Sequence, residues 1–140
     1  MKICKGRLLL QELHFERLLS SLKLLRIQTD DSFTKETLVG NIIELCRQNS
    51  CSNSARIRLA VFRKGDNTTG YSIEAIPLSE TTNDWNEDGL NIALYPHGRK
   101  AIDAFANLKS ANFLVYVLAG RYAIENSLDD CLVLNVHKNF

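Results

Sequence analysis

Lys109 stands in a short polar segment, Asn107-Leu108-Lys109-Ser110-Ala111-Asn112, just before an apolar run that reads as a helix to Asn126. An amine held on a rigid element and aimed above a helix start suits a Schiff base with a carbonyl cofactor. The ordinary alternative is a solvated surface lysine, which is where most lysines sit. His14, Arg17 and Ser21 follow one another at i, i+3 and i+7, a polar helical stripe that solvent alone would explain. Arg56 and Arg58 alternate with apolar residues through 56–63, which reads as the polar face of a half-buried strand. Cys4, Cys46, Cys51 and Cys131 form no C-x-x-C pair, and His14, His97 and His137 add no zinc spacing. No metal site is expected, and the thiols are expected to be reduced.

The elements that position these groups follow from local patterns. Residues 1–4 read as a strand, Lys5-Gly6 as a turn and 7–10 as a second strand or an approach to the helix. A strand at the first residue is expected to stand without a partner beside it. Residues 11–25 read as an amphipathic helix with Leu18, Leu22 and Leu25 on its apolar side and Leu19 adjoining. Ser32 or Thr34 caps a second helix over 35–48, with Leu38, Ile42, Leu45 and Cys46 facing inward. Residues 56–63 and 71–78 form a hairpin around the turn at 64–70. A polar stretch at 79–89 reads as an interdomain linker. Beyond it come a strand at 90–95, a turn at Pro96-His97-Gly98, and the approach to Lys109. The helix after Lys109 is expected to present Phe113, Val117 and Gly120, with Leu114, Leu118 and Ala119 beside them. Asp129-Asp130 then turns into a buried strand, Cys131 to Asn135.

Composition excludes several classes. The chain has 140 residues, 45% hydrophobic and 24% charged, with a formal charge of +1, enough for a globular core. No basic stripe interleaved with aromatics points to nucleic acid. No apolar run reaches spanning length, so no membrane partner is expected. Leu8-Leu9-Leu10 is too short for a signal peptide core. The expected location is cytoplasmic.

Three stretches carry a resemblance. Asn107-Leu108-Lys109-Ser110-Ala111-Asn112-Phe113-Leu114, then Val117-Leu118-Ala119, then Asp129-Asp130-Cys131-Leu132-Val133-Leu134-Asn135 resemble the segment around the cofactor lysine of class IV (fold-type IV) pyridoxal-phosphate aminotransferases. That family includes branched-chain and D-amino-acid aminotransferases and aminodeoxychorismate lyases. Several matches at fixed spacing over about thirty positions are more specific than one short motif. His14-Phe15-Glu16-Arg17-Leu18 with Ser21 is similar to the family's His-x-x-Arg-Leu-x-x-Ser motif.

The resemblance implies an α+β fold: a small N-terminal domain of two helices and an antiparallel sheet (1–78), the linker (79–89), and the start of a second, mostly β cofactor-binding domain (90–140). It implies pyridoxal 5'-phosphate as cofactor, with Lys109 as the catalytic lysine and Schiff-base partner. Arg17 is then the phosphate contact, since a planar guanidinium suits a phosphate bidentately. Arg58 meets a substrate carboxylate. The substrates implied are an amino acid and a 2-oxo acid, and the assembly a homodimer. Aminodeoxychorismate lyase chemistry on the same scaffold is the alternative, and a non-catalytic fragment or interaction module is the rival. Branched-chain members tend to carry an aromatic where this chain has Arg56, and the 64–70 loop lacks the Arg-x-His carboxylate trap of D-amino-acid members. Phe113 stands where some relatives place a tyrosine hydroxyl. The family pattern extends past both ends of the sequence, so a truncated chain, inactive by itself, is expected.

Overall fold

The computed structural model describes residues 1–65, 68–79 and 84–137. The chain divides into two compact units, Met1–Asp84 and Trp85–Phe140. Residues 80–83 of the expected linker, Asp66 and Asn67 of the expected turn, and the last three residues lie outside the described residues.

The first unit holds β1 (Lys2–Cys4), β2 (Arg7–Leu8), α1 (Gln11–Leu24), α2 (Lys35–Gln48), β3 (Ser54–Arg63) and β4 (Thr69–Pro77). Its sheet is antiparallel, in the order β2-β1-β3-β4. Lys5 and Gly6 both take positive φ, 48° and 73°. Those are the angles of the two-residue turn whose twist matches paired strands. The turn folds β2 back along one side of β1, and β3 pairs along the other, with Ile3 opposite Leu8 and Ala55. The expectation of a partnerless first strand is therefore corrected. The strand that fills the place beside β1 is β3, about fifty residues downstream, and local pattern gives no sign of such a distant pairing.

Alternation along the strands gives the sheet two faces. Ile3, Leu8, Ala55 and Ile57 turn inward and pack in one buried cluster with Phe15 of α1 and Leu38, Ile42 and Cys46 of α2. Both helices thus cover the same sheet face. Thr34 caps α2, its Oγ1 accepting the Thr37 amide at 3.1 Å. The apolar side of α1 is the expected one at Leu18, Leu22 and Leu25, with Leu22 buried and the other two half-buried; it extends to the buried Phe15 and leaves Leu19 exposed. The large ring of Phe15 joins the buried cluster over the sheet.

The second unit contains β5 (Ile92–Leu94), α3 (Leu114–Glu125) and β6 (Asp130–Leu132). β5 and β6 pair in parallel, which requires a crossover, and α3 lies within it. Two expectations change here. Ala119 and Ala123 are the buried residues of α3, whereas Phe113, Leu114, Val117 and Leu118 are exposed and Gly120 half-buried. The final strand ends at Leu132 and is not buried: Asp130 and Leu132 are exposed and Cys131 is half-buried. Small residues on α3 allow close approach, so size rather than hydrophobicity selects the packed face.

The three described helices end in one way. Arg26, Ser50 and Ser127 take φ of 52°, 52° and 55°. The next amide donates back five residues: Ile27 to the Leu22 carbonyl, Cys51 to Cys46 and Leu128 to Ala123, each at 2.9 Å. This is the Schellman closure, built without the usual glycine.

Candidate active site

The segment that carries Lys109 is tied on both sides. Upstream, Asp103 accepts the Phe105 amide on its carboxylate at 2.8 Å, and Leu108 N–H donates to the Phe105 carbonyl at 2.9 Å. Downstream, Asn112 N–H donates to Ser110 Oγ at 3.3 Å and Phe113 N–H to the Ala111 carbonyl at 3.0 Å. α3 begins five residues after the lysine. Lys109 itself is exposed, and no hydrogen bond or ion pair to a described residue engages its amine.

The strands behind this segment are clamped by Asp129. Its carboxylate accepts the Asn91 amide at 2.7 Å, and its own amide donates to the Asn91 carbonyl at 2.8 Å. Sequence reading took the acidic pair 129–130 as a turn. Its tie to the start of β5 had no local signal, because Asn91 lies 38 residues away. Tyr95, His97 and Tyr122 form a mutual edge-to-face trio with centroids 5.7–5.8 Å apart. Gly98 lies under it, where a Cβ would stand 2.7 Å from Val115 Cγ2. The turn after β5 is thereby packed on α3.

Arg17 is exposed on α1. Its Nη2 donates to His14 Nδ1 at 3.4 Å. Burial lowers the imidazole below its usual value, with the terminal ammonium and Arg17 adding to the effect, so the ring stays neutral and can accept. Ser21, third in the stripe, donates its hydroxyl to the Arg17 carbonyl at 2.7 Å. No carboxylate engages the Arg17 guanidinium among the described residues.

Arg58 lies on β3 on the face away from the helices, opposite Glu74 of β4. The pair is 3.4 Å apart and exposed, longer than a strong charge-assisted bond. Sequence reading missed Glu74, although the hairpin register would have found it. Arg17 and Arg58 thus belong to different layers of the first unit, and Lys109 belongs to the second unit. Among the described residues no cluster of His, Cys, Asp or Glu could hold a metal ion. No described helix is long and apolar enough to cross a membrane.

The profile of the family amino-transferase class IV matches residues 1–140. The chain belongs to that family. Its fold is that of the fold-type IV enzymes. It is similar to a putative 4-amino-4-deoxychorismate lyase from Legionella pneumophila subsp. pneumophila str. Philadelphia 1, with a TM-score of 0.75 and 17% identity over 97% of this chain and 51% of that one. It is similar to a mutant branched-chain amino acid aminotransferase from Thermobaculum terrenum, with a TM-score of 0.69 and 26% identity over 91% of this chain and 42% of that one. It is also similar to a hypothetical aminotransferase from Mycobacterium tuberculosis in its PLP-bound form, at a TM-score of 0.71 and 17% identity over 97% and 50% of the two chains. The chain spans about half the length of these solved structures. No curated protein matches the sequence.

Proposed function

We propose that the chain works in a pyridoxal-phosphate-dependent aminotransferase that moves an amino group between an amino acid and a 2-oxo acid. The observation that carries this reading is the family match across 1–140, with Lys109 exposed just before α3. The residues fit the cofactor. Lys109 offers an amine that no described residue engages, and among the described residues the Arg17 guanidinium meets the His14 ring and no carboxylate. In this reading, 1–78 form the N-terminal domain, 79–89 the linker, and residues from 90 onward the start of the cofactor-binding domain. The protein works as a homodimer.

Pyridoxal phosphate, when bound, supplies an aldehyde that carries the amino group and a ring that accepts electrons from the substrate. The chain's residues do the rest. Lys109 would anchor the cofactor and, once its amine is free, would move the proton between the substrate α-carbon and the cofactor carbon. Arg17 holds the phosphate through charge-assisted bonds. Arg58 takes a substrate carboxylate, exchanging its long contact with Glu74 for a closer one.

Lyase chemistry on the same scaffold is the second reading, compatible with the likeness to the Legionella protein. The same lysine serves both reactions. The test is reduction with borohydride after incubation with pyridoxal phosphate, then peptide mapping. Label confined to Lys109, lost in Lys109→Ala together with the visible absorption of bound cofactor, is expected. Label spread evenly over the lysines would sink the assignment. Assay of amino-group transfer against pyruvate release separates the two reactions.

A further inference from the structure

Two thiols meet where α2 ends. The main-chain bond that closes this helix joins Cys51 N–H to the Cys46 carbonyl at 2.9 Å. The residues so joined are Leu22 and Ile27 at the end of α1, and Ala123 and Leu128 at the end of α3; in α2 both positions carry sulfur. Ser50, with φ of 52°, turns the chain so that Cys51 comes back over the last turn of the helix. Residues joined by such a bond have Cα atoms roughly 5–6 Å apart, within the range of about 4.4–6.8 Å that a disulfide spans. Cys46 is 1% exposed and Cys51 4%, and both belong to the buried cluster of Leu38, Ile42 and Ala55. Burial, and after it hydrogen bonding and charge from the Cys51 thiol, push the Cys46 thiol above its usual value. Cys46 therefore keeps its proton in the packed state, with the Cys51 thiol as its neighbour. All four cysteines are free, and Cys4 and Cys131 are only half-buried.

We propose that Cys46 and Cys51 are a redox modification site, a dithiol that a low-molecular-weight disulfide, RSSR, oxidises to an intramolecular disulfide clamping the end of α2. The inference concerns the first unit alone and does not rest on the aminotransferase reading. Cys51 reacts first, because it stands past the helix end, where fraying exposes it. Its thiolate attacks one sulfur of RSSR; a mixed disulfide forms, and the leaving RS⁻ takes up the proton that Cys51 gave. The Cys46 thiol then loses its proton and attacks the Cys51 sulfur, and the second RS⁻ leaves with that proton. The protein gives up two electrons and two protons, and RSSR becomes two RSH. Packing drives the second step. A close-packed core has no room for the R group of the mixed disulfide, whereas a bond between two thiols already side by side adds no volume. Attack by RSH reverses the sequence, so the site follows the ratio of RSSR to RSH. The closed form removes freedom from the unfolded chain and makes the end of α2 harder to fray.

The experiment incubates the folded 140-residue chain with oxidised glutathione until the reaction stops. Acid quenching, alkylation of the remaining thiols and tryptic mapping without reduction follow. The peptides ending at Arg47 and Arg56 are expected to appear joined and lighter by two hydrogens, while Cys4 and Cys131 carry alkyl groups or glutathione. The oxidised chain should show a higher urea midpoint, with the folded-to-unfolded ratio raised about tenfold or more, and reduced glutathione should reverse both changes. Cys51→Ala should remove the joined peptide and the response of the midpoint to oxidation. Cys46→Ala should do the same and serves if the first variant does not fold, and the wild-type map needs neither. Replacing Cys4 and Cys131 by serine should leave the response in place. Cys46 and Cys51 both alkylated at the end of the reaction, a stable glutathione adduct on either, joining only in urea, or a midpoint lowered by closure would each overturn the proposal.

Discussion

Arg58 and Glu74 face each other across β3 and β4 with guanidinium and carboxylate 3.4 Å apart. An exposed pair of this kind contributes only about 0–1 kcal/mol to stability. It can open for a ligand at little cost. Arg58→Gln should therefore leave the thermal midpoint nearly unchanged and raise the substrate KM by about tenfold or more. Melting curves and steady-state kinetics check this together. A large fall in the midpoint with KM unaltered would make Arg58 structural.

Arg17→Ala should weaken cofactor retention rather than folding. The side chain is exposed and, among the described residues, bonded only to His14. A lost charge-assisted contact costs roughly 1.5–3 kcal/mol, a tenfold to hundredfold rise in the cofactor dissociation constant. The constant, measured by fluorescence titration of wild type and variant, decides. An unchanged value would return Arg17 to the solvated face.

The core of the first unit should be intolerant at Ile42, which is 0% exposed, and tolerant at Ile43, which is 43% exposed. Ile42→Ala removes buried methyl groups and leaves a cavity, costing about 2–5 kcal/mol. Ile43→Ala should cost under about 0.5–1 kcal/mol. Urea unfolding of the two variants, followed by far-UV dichroism, gives the comparison.

Residues holding a left-handed conformation without being glycine can be improved. At Ser127, φ is 55°, and a non-glycine residue pays about 1–2 kcal/mol for that region. Part of that gain returns as unfolded-chain entropy, so Ser127→Gly should stabilise by about 0.5–1 kcal/mol. An unchanged or lower urea midpoint would show that Ser127 pays no such penalty.

The tie between the helices should depend on pH in a defined window. Lys35 Nζ donates to the Glu12 carboxylate at 2.7 Å. Hydrogen bonding to Lys35, opposed by desolvation, holds the Glu12 carboxyl below its usual 4.5, and the same bond holds the Lys35 amine above 10.5. A depressed acid stabilises above its unfolded value and loses that contribution as pH falls through the folded one. A raised base stabilises below its unfolded value and loses that contribution as pH rises through the folded one. The difference in urea midpoint between wild type and Glu12→Gln should thus be flat between these limits and vanish below the acid one. A difference that persists at pH 2 would exclude the ion pair as its source.

The existence and type of most elements were legible because their signals are local. The helix at 35–48, the hairpin at 56–78 and the apolar run before Asn126 each carry their period within a few turns or one strand pair. The motif around Lys109 and the Arg17 stripe are likewise contiguous, so they could be named from the residues alone. The cationic character of Arg56 was visible too, but not that Lys2 stands opposite it.

What only the tertiary structure decided is who meets whom across long separations. β1 gained β3 as a second partner because a two-residue turn left its other edge free for a distant strand. Phe15 rather than Leu19 became core because the sheet beneath α1 offered room for a ring. Ala119 and Ala123 became the packed face of α3 because close approach favours small residues over larger apolar ones. The helix ends at Arg26, Ser50 and Ser127 carried no glycine, and the hydrogen bonds that close them join the residue past each turn to the last turn of the helix. A sequence states which residues are apolar and how they repeat; burial of a given one depends on the surface that the rest of the chain brings to it.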